Sequence, residues 1–127
     1  MTPTAPLLST LESYLELTTS REQAISANMA NVDTPGYHAL DIDFEGELKR
    51  AMNGPLSQSE DGMVTAQINP VVREVQGLME RPDGNNVNLD REGLLMAKTQ
   101  LQYQIGVQLV KHQFHQILSA ISGGGQS

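Results

Sequence analysis

Three groups of residues in this chain of 127 have the types and spacing to do chemistry. His112 and His115 stand three residues apart in a stretch with helical periodicity, so both rings leave one side and could share a metal ion. No Cys, Asp or Glu follows Glu92, so further ligands would have to come from elsewhere; a pair of surface histidines and no metal is the expectation. Asp41, Asp43, Glu45 and Glu47 alternate with apolar residues. Paired carboxylates can act as acid and base, yet no nucleophile stands beside them, and a solvated face is expected. Asp83-Gly84-Asn85-Asn86-Val87-Asn88-Leu89-Asp90 has the outline of a calcium loop. It places Val87 at the fifth position, lacks glycine at the sixth and puts Leu94 at the twelfth, where a bidentate carboxylate belongs. A turn followed by a helix cap accounts for it better.

Ser26 and Ser119 have no neighbouring base, and no phosphate-cradling glycine motif or HExxH occurs. The expectation is a protein that is not an enzyme, with no cofactor and no small-molecule substrate. A net charge of −7 opposes nucleic acid and anionic membrane surfaces, both of which require Lys and Arg. Aromatic residues make up 4% and Trp is absent, which argues against a large packed core and for an elongated, partner-dependent chain. Without cysteine there can be no disulfide framework or thiol chemistry. No run reaches the roughly 20 apolar residues of a membrane span. A secretory signal is not expected either, because Leu7-Leu8 is too short for an apolar core.

The elements that would position these residues are two helices with a mixed middle. Leu8, Leu11, Leu15, Thr18, Glu22, Ile25, Met29 and Val32 recur at spacings of three and four, which predicts a helix over 7–32 with a coiled-coil-like seam. Its few large residues leave it marginal alone. A second helix is predicted over 88–122, with Asn88 as N-cap, Asp90 and Glu92 in the first turn, and a flexible glycine tail over 123–127. At about 100° per residue this helix carries two apolar stripes. Leu94, Leu101, Ile105 and Leu109 form the first; Met96, Tyr103, Val107, Val110, Phe114, Ile117 and Ile121 form the second, on the opposite side. One stripe can be covered by the first helix, which leaves the other as an intermolecular surface. Between the helices, 33–53 reads as a turn and a short amphipathic segment packing Ile42, Phe44 and Leu48 inward. Residues 54–87 read as an extended or partly disordered stretch with short strands at Met63-Val64-Thr65 and Val71 to Val75, arranged as a small hairpin or arm.

The first helix ends in Ala27-Asn28-Met29-Ala30-Asn31-Val32-Asp33-Thr34-Pro35-Gly36-Tyr37. Asn31 suits a helix exit, through a left-handed conformation or an amide turned to the last carbonyls. Pro35-Gly36 suits the centre of a type II turn. This run resembles the amino-terminal signature of the axial proteins of the bacterial flagellum. Asp41-Ile42-Asp43-Phe44, soon after it, is similar to the FlgB-type proximal rod family in particular, as is Gly84 to Glu92 ahead of the second helix. Met29 stands where an aliphatic residue is usual in that family, and His38 where a basic one is common.

The resemblance implies a mainly α fold: long terminal helices paired as an antiparallel coiled-coil-like unit and completed by neighbouring subunits. It implies a structural subunit of the proximal rod, assembled helically around the export channel, which passes torque from the membrane ring toward the distal rod and hook. The implied partners are copies of itself, other rod proteins, the rod-to-membrane-ring adaptor with the membrane ring, and the export apparatus. Export without a cleaved signal would place the chain in the periplasmic rod. The assembly interface would draw on Leu8, Leu11, Leu15, Ile25 and Met29 of the first helix, with Leu94, Leu101, Tyr103, Ile105, Val107, Val110, Phe114, Ile117 and Ile121 of the second. Asn28 and Asn31 would bond local carbonyls or an adjacent subunit. A small cytoplasmic helical chaperone or adaptor holding a partner's amphipathic helix is the alternative on the same two-faced helix.

Overall fold

The computed structural model describes residues 4–53, 56–58, 64–66 and 68–123. It is mainly helical: α1 spans Thr4–Ala30, α2 Phe44–Asn53 and α3 Leu89–Gly123. Short strands lie between them, β1 at Leu40–Ile42, β2 at Leu56–Gln58, β3 at Val64–Ala66 and β4 at Val72–Glu74. The glycine tail expected after 123 falls outside the described residues, as does Met63.

The middle forms a hairpin, but not from the expected pieces. Antiparallel β2 and β3 pair with each other, while β4 pairs antiparallel with β1, Leu40 opposite Glu74 and Ile42 opposite Val72. Val71 to Val75 therefore belongs to the turn region after α1 and not to the hairpin, a long-range pairing that local alternation cannot reveal.

Side by side and antiparallel, α1 and α3 form the body of the molecule. Asn28 near the end of α1 bonds Glu92 near the start of α3, and Tyr14 and Leu15 lie against Gly106 further along. Leu11, Thr18 and Ile25 recur every seven residues on α1 and are buried. Leu17 and Ala24, one place off that seam, are buried too, because β1 and α2 cover a second side of the helix. The buried Thr18 hydroxyl donates to the Leu15 carbonyl at 2.6 Å, which satisfies it without a partner across the interface. Leu8, Leu15 and Met29 are half-buried.

The face that α3 turns inward is polar and small. Glu92, Thr99 and Gly106, again seven apart, are its buried residues. Of the second stripe, Met96, Val107, Val110 and Ile117 are half-buried along the edge of this contact, while Tyr103, Phe114 and Ile121 remain exposed. The first stripe is open, with Leu94 at 73%, Leu101 at 57%, Ile105 at 49% and Leu109 at 47% exposure. Hydrophobic periodicity locates both stripes but not the narrow seam of small residues beside one of them. Close approach needs that seam: a Cβ on Gly106 would sit 2.7 Å from the Leu15 side chain and 3.0 Å from the Tyr14 ring.

Gly106→Val is expected to overpack this crossing and lower the unfolding free energy by about 1–3 kcal/mol in urea titration. Gly93→Ala, on the same helix with nothing within 4 Å of its Cβ position, is expected to raise it by up to about 1 kcal/mol. Equal effects of the two would contradict the close crossing.

Candidate functional site: the asparagine clasp and the open helix face

The exit of α1 is built from amides. Asn31 is not left-handed, since among the described residues no non-glycine residue has positive φ. It ends the helix by its other means, donating both its backbone N–H (3.1 Å) and its side-chain amide (2.8 Å) to the Ala27 carbonyl. Its Oδ1 accepts from the Thr34 hydroxyl at 3.0 Å. The Tyr37 N–H then returns to the Thr34 carbonyl at 3.2 Å, and Gly36 has φ +75°. With proline ahead of that glycine, Thr34 to Tyr37 is a type II turn.

Asn28, fully buried, ties this exit to the rest of the chain. Its Nδ2 donates to the Leu40 carbonyl (2.8 Å) and to Glu92 Oε2 (3.1 Å), and its Oδ1 accepts from the Leu40 N–H (2.8 Å) and the Tyr37 hydroxyl (3.1 Å). Both donors and both acceptor sites of the amide are used within one chain. The fit with Leu40 follows from strand geometry. The neighbouring Ala39 carbonyl accepts from the N–H of Val75, the residue after β4, so in an antiparallel ladder the groups of Leu40 point the other way. Asn28 occupies that edge as a further strand would. Burial, then the nearby negative charge of Glu92, pushes the Tyr37 phenol above its usual range, which keeps it a donor.

The segment before α3 closes the clasp. Buried Asn85 donates to the Asn31 and Thr34 carbonyls at 2.9 and 2.8 Å and accepts from the Val87 N–H. Asn86 Oδ1 accepts from the Ala39 N–H at 2.6 Å. Arg81 donates to the Val32 and Val87 carbonyls, bringing a cation to the carbonyl end of α1. The Gly36 N–H reaches the Asp83 carbonyl at 2.9 Å. Glu92, with no exposure, pairs with Arg91 at 3.0 Å as well as with Asn28. Sequence reasoning identified Asn88 as the cap, and its Oδ1 does accept from the Arg91 N–H at 3.1 Å. It missed Asn85, Asn86, Arg81 and Glu92 as parts of the clasp. The only local signal is a pair of adjacent asparagines beside a glycine, which reads equally well as an exposed turn.

The acidic run that follows is a solvated face only in part. Asp41 takes a two-pronged ion pair from Arg21 at 3.0 and 3.1 Å, with both side chains largely buried. Arg21 also lies 5.9 Å from the centre of the Phe44 ring, which meets Tyr14 edge-on at 5.4 Å. Ile42 is buried, Asp43 caps α2 through the Glu47 and Gly46 N–H groups, and Glu47 is buried against Arg50. Asp43 and Glu45, the latter paired with Lys49, stand in solvent. The segment Asp41 to Phe44 thus docks on α1. His112 and His115 lie exposed on the distal half of α3, with His112 beside Gln116 at 3.2 Å.

No family model matches the chain. It is, however, 34% identical over 122 residues to the flagellar basal body rod protein FlgB of Salmonella typhimurium, across 87% of this chain and 88% of the relative. The FlgB of Escherichia coli matches with the same identity and coverage, and that of Buchnera aphidicola is 27% identical over 86% of this chain and 89% of its own length. The chain belongs to the FlgB family. It is a structural protein of the flagellar basal body rod and not an enzyme. Family membership favours the rod subunit over the chaperone. In this FlgB-family chain the clasp shapes the end of the subunit, and the first stripe of α3 is its open flank.

Asn28→Ala would strand the Leu40 N–H and carbonyl, the Tyr37 hydroxyl and Glu92 together. At about 1–3 kcal/mol for each buried group left unpaired, a loss of roughly 3 kcal/mol or more is expected in urea unfolding. Asn31→Ala should cost about 1 kcal/mol or less by comparison. Gly36→Val should cost about 1–2 kcal/mol from backbone strain alone, since nothing lies within 4 Å of that position.

Proposed function

We propose that the chain is a subunit of the proximal rod, added helically around the export channel, and that it carries torque from the membrane ring toward the distal rod and hook. The α1–α3 pair acts as a coiled-coil-like unit that neighbouring subunits complete. Its partners are further copies of itself, other rod proteins, the adaptor that joins rod to membrane ring, and the export apparatus. The chain travels through that apparatus without a cleaved signal to reach the periplasm. Kinship with curated rod proteins supports this reading.

The single observation that carries the assembly reading is the division of labour on α3. The helix meets α1 through Glu92, Thr99 and Gly106, and leaves Leu94, Leu101, Ile105 and Leu109 exposed along one line. A contiguous apolar line of this kind marks an interaction surface. Burial of one such side chain stabilises a contact by about 1.5–3 kcal/mol, so a few of them suffice to hold a neighbour. Tyr103, Phe114 and Ile121, open on the other flank, offer a second line of contact. The turn Thr34 to Tyr37 directs the chain out of the helical layer.

The double variant Leu101→Asp/Ile105→Asp should leave the urea midpoint of the isolated subunit nearly unchanged, because both sites are exposed. It should abolish swarming and remove the chain from purified basal bodies, as two buried contacts of about 1.5–3 kcal/mol each are replaced by charge. Normal swarming with normal incorporation would overturn the reading.

A further inference from the structure

His38, in the link between the type II turn and β1, stands between two carboxylates. Its Nδ1 lies 3.2 Å from Glu74 Oε2 and its Nε2 3.0 Å from Glu80 Oε1. A carboxylate only accepts hydrogen bonds, so the Glu74 contact requires an N–H at Nδ1, while the ion pair with Glu80 requires the charged ring. Neutral imidazole has one such group and imidazolium has two. The arrangement is complete only when the ring is doubly protonated.

The two carboxylates are anchored differently. Glu74 is the last residue of β4 and sits opposite Leu40 in the ladder. Glu80 lies in the following loop, and among the described residues the backbone of 76–80 makes no loop or turn hydrogen bond. From Arg81 onward the chain is fixed again, through Arg81 to Asn85, Gly84 to Arg81, and Gly36 to Asp83. The loop carries Met79, 91% exposed, which with Val32, Val87 and Leu89 lines a depression of about 390 Å³ at the base of α3.

We propose that His38 is a proton-operated latch. With both nitrogens protonated it ties the loop 76–80 to the β1–β4 sheet, and loss of one proton frees the Glu80 arm and the loop that carries Met79. The charged groups around it agree. Glu74 from β4 and Glu80 from the loop both face the ring, with the Gly84 backbone beside them. Nearby charges are engaged elsewhere: Asp41 by Arg21, and Arg81 by carbonyls and Asp83. The Glu74 hydrogen bond above all, helped by both carboxylate charges against a partial loss of hydration, raises the His38 pKa from its ordinary 6.5. Because the folded value is the higher one, the latch acts in full below the ordinary pKa and is lost as pH rises through the raised value. The loop is closed on the acid side and open on the alkaline side.

The test is an NMR titration of the full chain from about pH 5 to about pH 9, following the His38 ring proton and the amide order of residues 76–80. The expected result is a His38 midpoint above 6.5, with loop order falling at that same midpoint. For such partly exposed contacts the closed-to-open ratio should drop roughly two- to fivefold. Glu80→Gln and His38→Gln should each give a loop as mobile at acid pH as the parent is at alkaline pH. A His38 midpoint at or below 6.5, loop order unchanged through the titration, or variants that keep the pH response would overturn the proposal.

Discussion

A primary amide offers two donors and two acceptor sites, and burying it is tolerable only if all of them are met. Asn28 meets all of them with groups from three directions: the Tyr37 hydroxyl in the turn, both backbone groups of Leu40 in β1, and Glu92 at the start of α3. The placement of the rest depends on this. Leu40 can be offered to Asn28 only because its neighbour Ala39 bonds Val75, just past β4. Glu92 can be buried because Asn28 and Arg91 share its two oxygens. Asn85 repeats the device one layer out, donating to the Asn31 and Thr34 carbonyls just past α1. A subunit with few aromatic residues thus defines one end of its helix pair by directional bonds, where apolar packing would leave register loose.

The other consequence concerns α3. With the clasp fixing its first turn, the helix lies along α1 with Glu92, Thr99 and Gly106 inward, and its best apolar line is left outward. In a self-sufficient domain this would be an inversion of the usual pattern. On the proposed reading it is the arrangement that favours association: the polar seam aligns the helices and the apolar line is kept for contact.

Much of the framework could be read from residue order. Spacings of three and four located both helices, Asn88 was recognisable as a cap, and Pro35-Gly36 announced its turn. Asn28 and Asn31 stood out with the turn, although not what they bond. The remainder depends on contacts between residues far apart in the chain. Glu92 read as a charge favourable to the helix dipole, and nothing local says it meets Asn28. Asp41 read as solvated because its partner, Arg21, lies on the preceding helix. The pairing of β4 with β1 and the burial of Asn85 and Asn86 arise in the same way. Periodicity reports which faces are apolar; it is silent on a helix that uses its small residues for one neighbour and its large ones for another.

The central claim, that the open line on α3 is covered when the subunit is in place, can be measured directly because the chain has no cysteine of its own. Single cysteines at Leu101 and Ile105, with one at exposed Glu45 as reference, would be labelled with a maleimide in the isolated subunit and in purified basal bodies. The account predicts that the two α3 positions label readily in the isolated subunit and are strongly protected in the basal body relative to the reference. Equal labelling of Leu101 and Ile105 positions in both states would contradict it.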